Sequence, residues 1–476
     1  MSRAWARTRE KGENLTAQAL DQGRSGVIAY DRNKLFILSV LALVTAGMAF
    51  SIRGSILSDL QKVFFDAVDP VHAAGLITSA AGVAFLGFAI SIFIGSPLCD
   101  ALGMGRLLAL AGLLFLVGTL TTLFAAKIAS GGSIYWVLWG GFLFVGLAHG
   151  LVEAVINPLI ATLYPEDKTH KLNVLHAWWP GGLIIGGLIG TFLGHNWQLQ
   201  LGLILIPTLL FSLMIIGTKF PPTERVAASV STGEMIKEAF NPLFIVWFLC
   251  MFLTAASELA PGQWVDAALT RTVGFKGILL LVYVSGLMFV MRHFAGTLAH
   301  KVSPIGLMWI SSLLACIGLV LLSVANSPIT GLLAATVWGV GVCYMWPTML
   351  GVTSERFPKG GALLMGIMGS AGNLSIYFVL PWLGGIYDTA KVASAKAQNL
   401  DFTQLSETAK TDPNAAAILN TILSHASEVS FKAVAILPGI LLLVFGGLWL
   451  YFKSQGGYKA VRLDAPIDKE PELTPL

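Results

Sequence analysis

Apolar and polar positions alternate along the chain in long blocks. Twelve apolar stretches fall near 35–57, 72–97, 106–127, 134–163, 172–195, 198–217, 242–268, 276–299, 305–325, 330–355, 361–387 and 432–453. Each is long enough to cross the ~30 Å of hydrocarbon in a bilayer as a helix. The pattern therefore predicts an all-α integral membrane protein with twelve transmembrane helices in two six-helix pseudo-repeats. A polar block, 218–241, separates a six-span half at 35–217 from a second at 242–453. Residues 1–34 and 454–476 are polar tails. The 44 residues of 389–432 make the other long connection; they are Ala-rich, contain Asp412-Pro413-Asn414, and predict surface helix leading into the last span.

Composition agrees with this pattern. The 476 residues are 55% hydrophobic and 12% charged, with a mean hydropathy of +0.75. Soluble domains carry about 25% charged residues. A net charge of +4, spread over loops, gives no basic surface for nucleic acid. The four cysteines (Cys99, Cys250, Cys316, Cys343) sit in or beside apolar segments without metal-ligand spacing and read as buried thiols. The mixed-charge first 33 residues hold no cleavable signal peptide. The 51 glycines predict close helix–helix approach.

Counting the N-terminus inside, roughly 20 of the 30 Lys and Arg fall in tails and inside loops against 8 outside. The positive-inside rule then places both termini in the cytoplasm of a cell-membrane protein, and loop 388–431 outside. The halves also echo each other. Phe88, Phe93, Gly95 and Gly105 recur as Phe289, Phe294, Gly296 and Gly306, at a constant offset of 201. Two repeats of equal topology point to a secondary transporter whose substrate sits between the halves at mid-membrane.

The chemistry concentrates in 146–182. His149, Glu153 and Asn157 follow at intervals of four, about 40° apart around a helix, so they share one stripe. A carboxylate in mid-span costs roughly 2.5–3.5 kcal/mol on insertion scales, and a transported ion or substrate is the usual reason for it. Glu153 is the expected proton acceptor. Burial disfavours its charge and a neighbouring cation favours it, so it can exchange a proton as a cavity opens to either side. Arg53 has three open roles: pairing with Glu153, binding a substrate hydroxyl or anion, or snorkelling outward. His149 reads as a tuner of Glu153 or a packing residue.

His176 precedes Trp178-Trp179-Pro180-Gly181-Gly182. Histidine beside indoles suits a sugar, whose hydroxyls need partners and whose C–H faces stack on rings. In the seventh span, Glu258, Pro261, Gly262, Gln263 and Trp264 predict a discontinuous helix that exposes polar groups. Trp346, before Pro347-Thr348, and Asn373 complete the expected substrate-binding set with Asn157, His176, Trp179, Glu258, Gln263 and Trp264. Arg292 lies nearer the cytoplasmic end and reads as a gate or brace. Asp100 and Arg106 form a DxxGxGR turn that reads as an inter-helix latch. No G-x-S-x-G, P-loop, H-E-x-x-H or paired CxxC is present, so no enzyme is expected, nor a metal or cofactor.

The chain resembles the major facilitator superfamily, and within it the proton-coupled sugar symporters of the fucose permease and glucose/galactose group. Val152-Glu153-Ala-Val-Ile-Asn157-Pro158 is similar to that group's L-E-x-x-x-N-P. Trp346-Pro347-Thr348-Met-Leu-Gly351 is similar to its Y-P-T-I-F-S-L-G. The resemblance implies that Glu153 couples proton and sugar movement, driven by the proton gradient. Two departures accompany it: Ser55 stands where the fucose permease has an aspartate, and its fifth-span Asn and Gln positions fall near Trp179 and His176. The sequence thus predicts a monomeric carrier taking up a monosaccharide or similar small polar nutrient with protons. An organic-anion facilitator using Arg53, and a non-transporting nutrient receptor, are the alternatives.

Overall fold

The computed structural model describes residues 30–66, 73–273 and 277–463; the side chains of 73–75, 78, 262–279, 281, 380 and 381 fall outside that description. Among the described residues all regular structure is helical. Membrane-length helices are α1 (Arg32–Phe64), α2 (Ala73–Leu102), α3 (Met104–Leu123), α4 (Ile134–Leu163), α5 (Lys168–Leu193) and α6 (Trp197–Ile215) before the 218–241 segment. After it come α7 (Pro242–Val273), α9 (Ala295–Val324), α10 (Pro328–Arg356), α11 (Gly361–Ala397) and α12 (Pro413–Ser454), with the shorter apolar helix α8 (Gly277–Arg292) between α7 and α9. Asp31 caps α1, its carboxylate accepting from the Lys34 amide at 2.9 Å, where the polar tail gives way to the first apolar stretch.

Close backbone approach sets how α2 and α4 pack. A Cβ on Gly146 would lie 2.2 Å from the Ala84 carbonyl oxygen, and one on Gly150 2.0 Å from Ser91 Oγ. Gly47 and Gly182 bring α1 and α5 together in the same way: a Cβ on Gly47 would meet the Trp179 carbonyl at 2.5 Å.

Two expectations are corrected. The seventh span is not discontinuous, because α7 runs through Pro261. The break lies in the tenth span, where residues 343–344 leave the helix just before Trp346-Pro347. In α7 the Ser257 carbonyl, which Pro261 deprives of its intrahelical partner, instead accepts from Trp338 Nε1 at 3.2 Å, so the turn need not open. Second, the linkage expected at 300–304 is a kink inside α9, where Ser303 has φ 68°. The stretch 389–432 is helix leading into the last span, as expected: extensions of α11 and α12 join the short helix Phe402–Thr408 in a helical hairpin. It buries its own small core of Ala395, Leu405, Ala415 and Ile422, so the Ala-rich composition serves packing.

At the end of the bundle bearing the 218–241 segment and the C-terminal tail, polar contacts join the two groups of helices. Thr169 donates through its amide (3.1 Å) and hydroxyl (2.6 Å) to Glu355 Oε1. Lys168 Nζ donates to Glu224 (2.5 Å) and to the Ser354 carbonyl (3.2 Å). Gly456 and Gly457, at φ 84° and 98°, turn the chain back after α12. The Tyr458 hydroxyl then donates to Glu355 Oε2 at 2.6 Å, and the Val461 amide to the Glu355 carbonyl at 2.8 Å. Burial, reinforced by the Glu355 carboxylate, holds the Tyr458 phenol protonated well above the usual tyrosine range.

The Asp100–Arg106 latch is also corrected. Asp100 accepts from Arg225 Nε at 3.0 Å, from Arg225 Nη2, and from Thr223 Oγ1 at 2.5 Å. Arg106 is exposed. The acid at the end of α2 therefore grips the 218–241 segment, because the buried Arg225 offers a two-pronged fork.

Candidate functional site

A cavity of about 80 Å³ lies between the two groups of helices. Phe50, Arg53, Phe85, Phe88, His149, Glu153, His176 and Trp179 line it from one group, and Glu258, Arg292, Trp346 and Asn373 from the other. Nine residues singled out in the sequence thus meet at one place. Asn157 is not on the cavity wall. The Gln263 and Trp264 side chains fall outside the described residues, and Asp100 and Arg106 lie at the end of α2, away from it.

The glycine-mediated approach of α4 to α2 puts the His149 ring edge-on to Phe88, with centroids 4.5 Å apart. His149 Nε2 lies 3.7 Å from Glu153 Oε1. Asn157 Nδ2 donates to Glu153 Oε2 at 3.5 Å, and its amide oxygen accepts from His176 Nε2 at 2.9 Å, so that nitrogen carries the His176 proton. Glu153 is only 5% exposed. Of the three roles open to Arg53, pairing with Glu153 is not formed. The Arg53 guanidinium carbon instead lies 5.3 and 5.2 Å from the Phe50 and Phe85 ring centres, a cation–π arrangement, and its N–H groups meet no acceptor among the described residues.

Arg292 occupies a place that its sequence position did not suggest. Proline has no N–H, so it frees the carbonyl four residues back. Pro180 frees His176 O, and Pro347 frees Cys343 O. Arg292 takes both, with Nη1 to His176 O at 2.7 Å and Nε to Cys343 O at 2.6 Å. Its Nη2 donates to Glu258 Oε1 at 3.1 Å. One buried guanidinium thus satisfies two proline-freed carbonyls and one carboxylate, and ties α5 to α8 and α10. Glu258 Oε2 is buried with no hydrogen-bond partner. Asn373 Nδ2 donates to Gly369 O at 3.0 Å, leaving its amide oxygen at the cavity.

Sequence reasoning missed the aromatic collar of Phe50, Phe85 and Phe88. Phe50 and Arg53 stand at i and i+3, and Phe88 belongs to the internal repeat, so both signals were present.

The profile of the Major Facilitator Superfamily matches residues 35–379. The chain belongs to that superfamily. It is a transporter in the membrane and not an enzyme. Among curated proteins it is 26% identical over 186 residues to myo-inositol transporter 1 of Candida albicans, covering 37% of this chain and only 32% of that one. It is 26% identical over 303 residues to the multi-drug resistance efflux pump PmrA of Streptococcus pneumoniae, covering 59% of this chain and 72% of the pump. The fold is similar to that of the fucose:proton symporter FucP of E. coli, with a TM-score of 0.62 and 17% identity over 85% of this chain and 98% of FucP. It is also similar to the proton:xylose symporter XylE, with a TM-score of 0.68 and 15% identity over 87% and 95%. At these identities the likeness is one of fold, the twelve-helix arrangement that places the cavity between two six-helix groups.

Proposed function

We propose that this transporter carries a monosaccharide or similar small polar nutrient into the cell with protons. The six-helix units 35–217 and 242–453 rock about the cavity in alternating access. The observation that carries the reading is Glu153: a carboxyl on the cavity wall at membrane depth, bracketed by His149 and Asn157 and lacking a formal countercharge in contact. Its neutral form is tolerated in hydrocarbon and its charged form is held by the two neighbours, as a proton carrier requires. His176, Trp179, Trp346, Asn373 and Glu258 supply the stacking and hydrogen-bonding surface for a polyol. We place both termini in the cytoplasm of the cell membrane, which makes the polar contacts around Glu355 the inner gate and the described conformation one closed to the cytoplasm. The carrier acts as a monomer.

Glu153→Gln in proteoliposomes tests this. Exchange of substrate at equal pH continues, while uptake driven by an inward proton gradient disappears. Unchanged gradient-driven uptake removes Glu153 from the coupling role. A second reading, an organic-anion facilitator, is favoured by one observation: Arg53 offers the cavity a guanidinium edge with no protein acceptor among the described residues.

A further inference from the structure

The cavity holds two unmatched polar ends, and each belongs to a different group of helices. On α1, the Arg53 guanidinium lies against the Phe50 and Phe85 rings, and its N–H groups meet no carboxylate or carbonyl among the described residues. On α7, Glu258 is 6% exposed; Arg292 donates to its Oε1, the Trp346 amide faces the carboxylate, and no donor reaches Oε2 in full hydrogen-bond geometry. Unmade hydrogen bonds of buried charged groups are unfavourable, and a ligand that completes them gains both affinity and orientation. A free guanidinium edge matches the two oxygens of a carboxylate. A carboxylate oxygen already neutralised by Arg292 asks for a hydrogen-bond donor that carries no charge of its own.

We infer that the substrate is a polyhydroxy carboxylate, a sugar acid, with its carboxylate on Arg53 and a hydroxyl donated to Glu258 Oε2. This rests on the reading of the cavity as a sugar-type transport site and narrows it. Charge balance agrees. The four cavity charges Arg53, Arg292, Glu153 and Glu258 sum to zero, and protonating Glu153 leaves one excess positive charge. A monoanion neutralises it, so the loaded carrier crosses with no net cavity charge, which low-dielectric surroundings favour. A neutral sugar leaves that charge standing.

The test uses the purified full-length protein, by thermal shift and by proteoliposome uptake. The panel pairs D-glucose with D-gluconate and D-glucuronate, and D-galactose with D-galacturonate; hexanoate supplies a carboxylate without hydroxyls, and serine a carboxylate with an ammonium. The expected result is binding of the sugar acids at least 10-fold tighter than their neutral parents and than hexanoate or serine. Arg53→Gln, checked for an unchanged melting profile without ligand, erases the preference for the acid, and Arg53→Lys keeps part of it. Proton-coupled uptake of the acid in one-to-one ratio generates no current on a capacitive membrane electrode.

Equal or tighter binding of the neutral parents, with Arg53→Gln leaving the panel unaltered, overturns the inference and leaves sugar transport standing. Best binding by serine or hexanoate overturns the hydroxyl assignment and with it the sugar acid. A folded protein that binds no member of the panel overturns the underlying sugar-type reading as well.

Discussion

The bond from Arg292 to the His176 carbonyl crosses between the two groups of helices, and the cause of that carbonyl's availability is Pro180. Replacing Pro180 with Ala restores an N–H that bonds His176 O within α5. With proline in place, separating the groups at this point leaves a buried carbonyl with no partner, a penalty of about 1–3 kcal/mol. With alanine the carbonyl stays satisfied in both states, so that penalty disappears and the gate opens more readily. The open population rises by a factor of ~5 to ~150. Pro347→Ala is the matched control, because Arg292 and Cys343, whose carbonyl Pro347 frees, lie on α8 and α10 and move together. The assay is labelling of Ser354→Cys, buried at the gate, by a membrane-impermeant maleimide applied from the terminus-bearing side, in a background lacking the four native cysteines. Faster labelling in Pro180→Ala than in Pro347→Ala is expected. Equal rates in the two variants refute the argument that the cross-group bond depends on the proline.

Further outcomes follow from contacts elsewhere. Glu355→Ala removes the acceptor of both Thr169 donors and of Tyr458; at about 1.5–3 kcal/mol for each charge-assisted bond, labelling of Ser354→Cys rises more than tenfold, and an unchanged rate excludes Glu355 as a gate residue. Gly150→Ala places a Cβ 2.0 Å from Ser91 Oγ and 2.3 Å from Phe88 O, so α2 and α4 must part at about 1–3 kcal/mol, read as a lower melting temperature in detergent. Asp100→Ala strands the buried Arg225 and costs about 3–5 kcal/mol, whereas exposed Arg106→Ala stays within about 0.5 kcal/mol; equal melting temperatures for the two contradict the assignment of the latch.

The span pattern was readable because hydrocarbon leaves a chain little choice: a helix of the right length must be apolar, and eleven of the twelve blocks fall on helices long and apolar enough to cross, the eighth on a shorter one. Glu153, Arg53 and His176 were readable for the complementary reason that polar groups at membrane depth are rare. What the one-dimensional pattern withheld was which partner each group finds. Proximity in sequence favoured Arg106 for Asp100, yet the partner, Arg225, arrives 125 positions later. Pro261 and Pro347 look alike in sequence, but the helix runs on through the first and is interrupted before the second, and each freed carbonyl finds a distant side-chain donor, Trp338 for one and Arg292 for the other. Arg292 was placed toward the helix end by counting residues, while its long side chain reaches the cavity wall.

These contacts connect two functions that the sequence presented separately. Glu153 accepts from Asn157, whose amide oxygen accepts from His176, whose backbone carbonyl accepts from Arg292. The proposed proton acceptor on α4 is therefore three hydrogen bonds away from the guanidinium that bridges to the other six helices. Protonating Glu153 removes the charge that orients the Asn157 amide. Asn157 then holds His176 less firmly, and His176 carries the carbonyl on which the cross-group bond depends. Arg292 also holds Glu258 and Cys343, which lie within its own group of helices. A bond to a proline-freed carbonyl suits this position: it is strong enough to hold one state, and it can be released without unwinding a helix that never contained it. Under the proposed coupling, proton binding and helix movement share one continuous set of contacts, with Asn157, which does not line the cavity, as the joint between them.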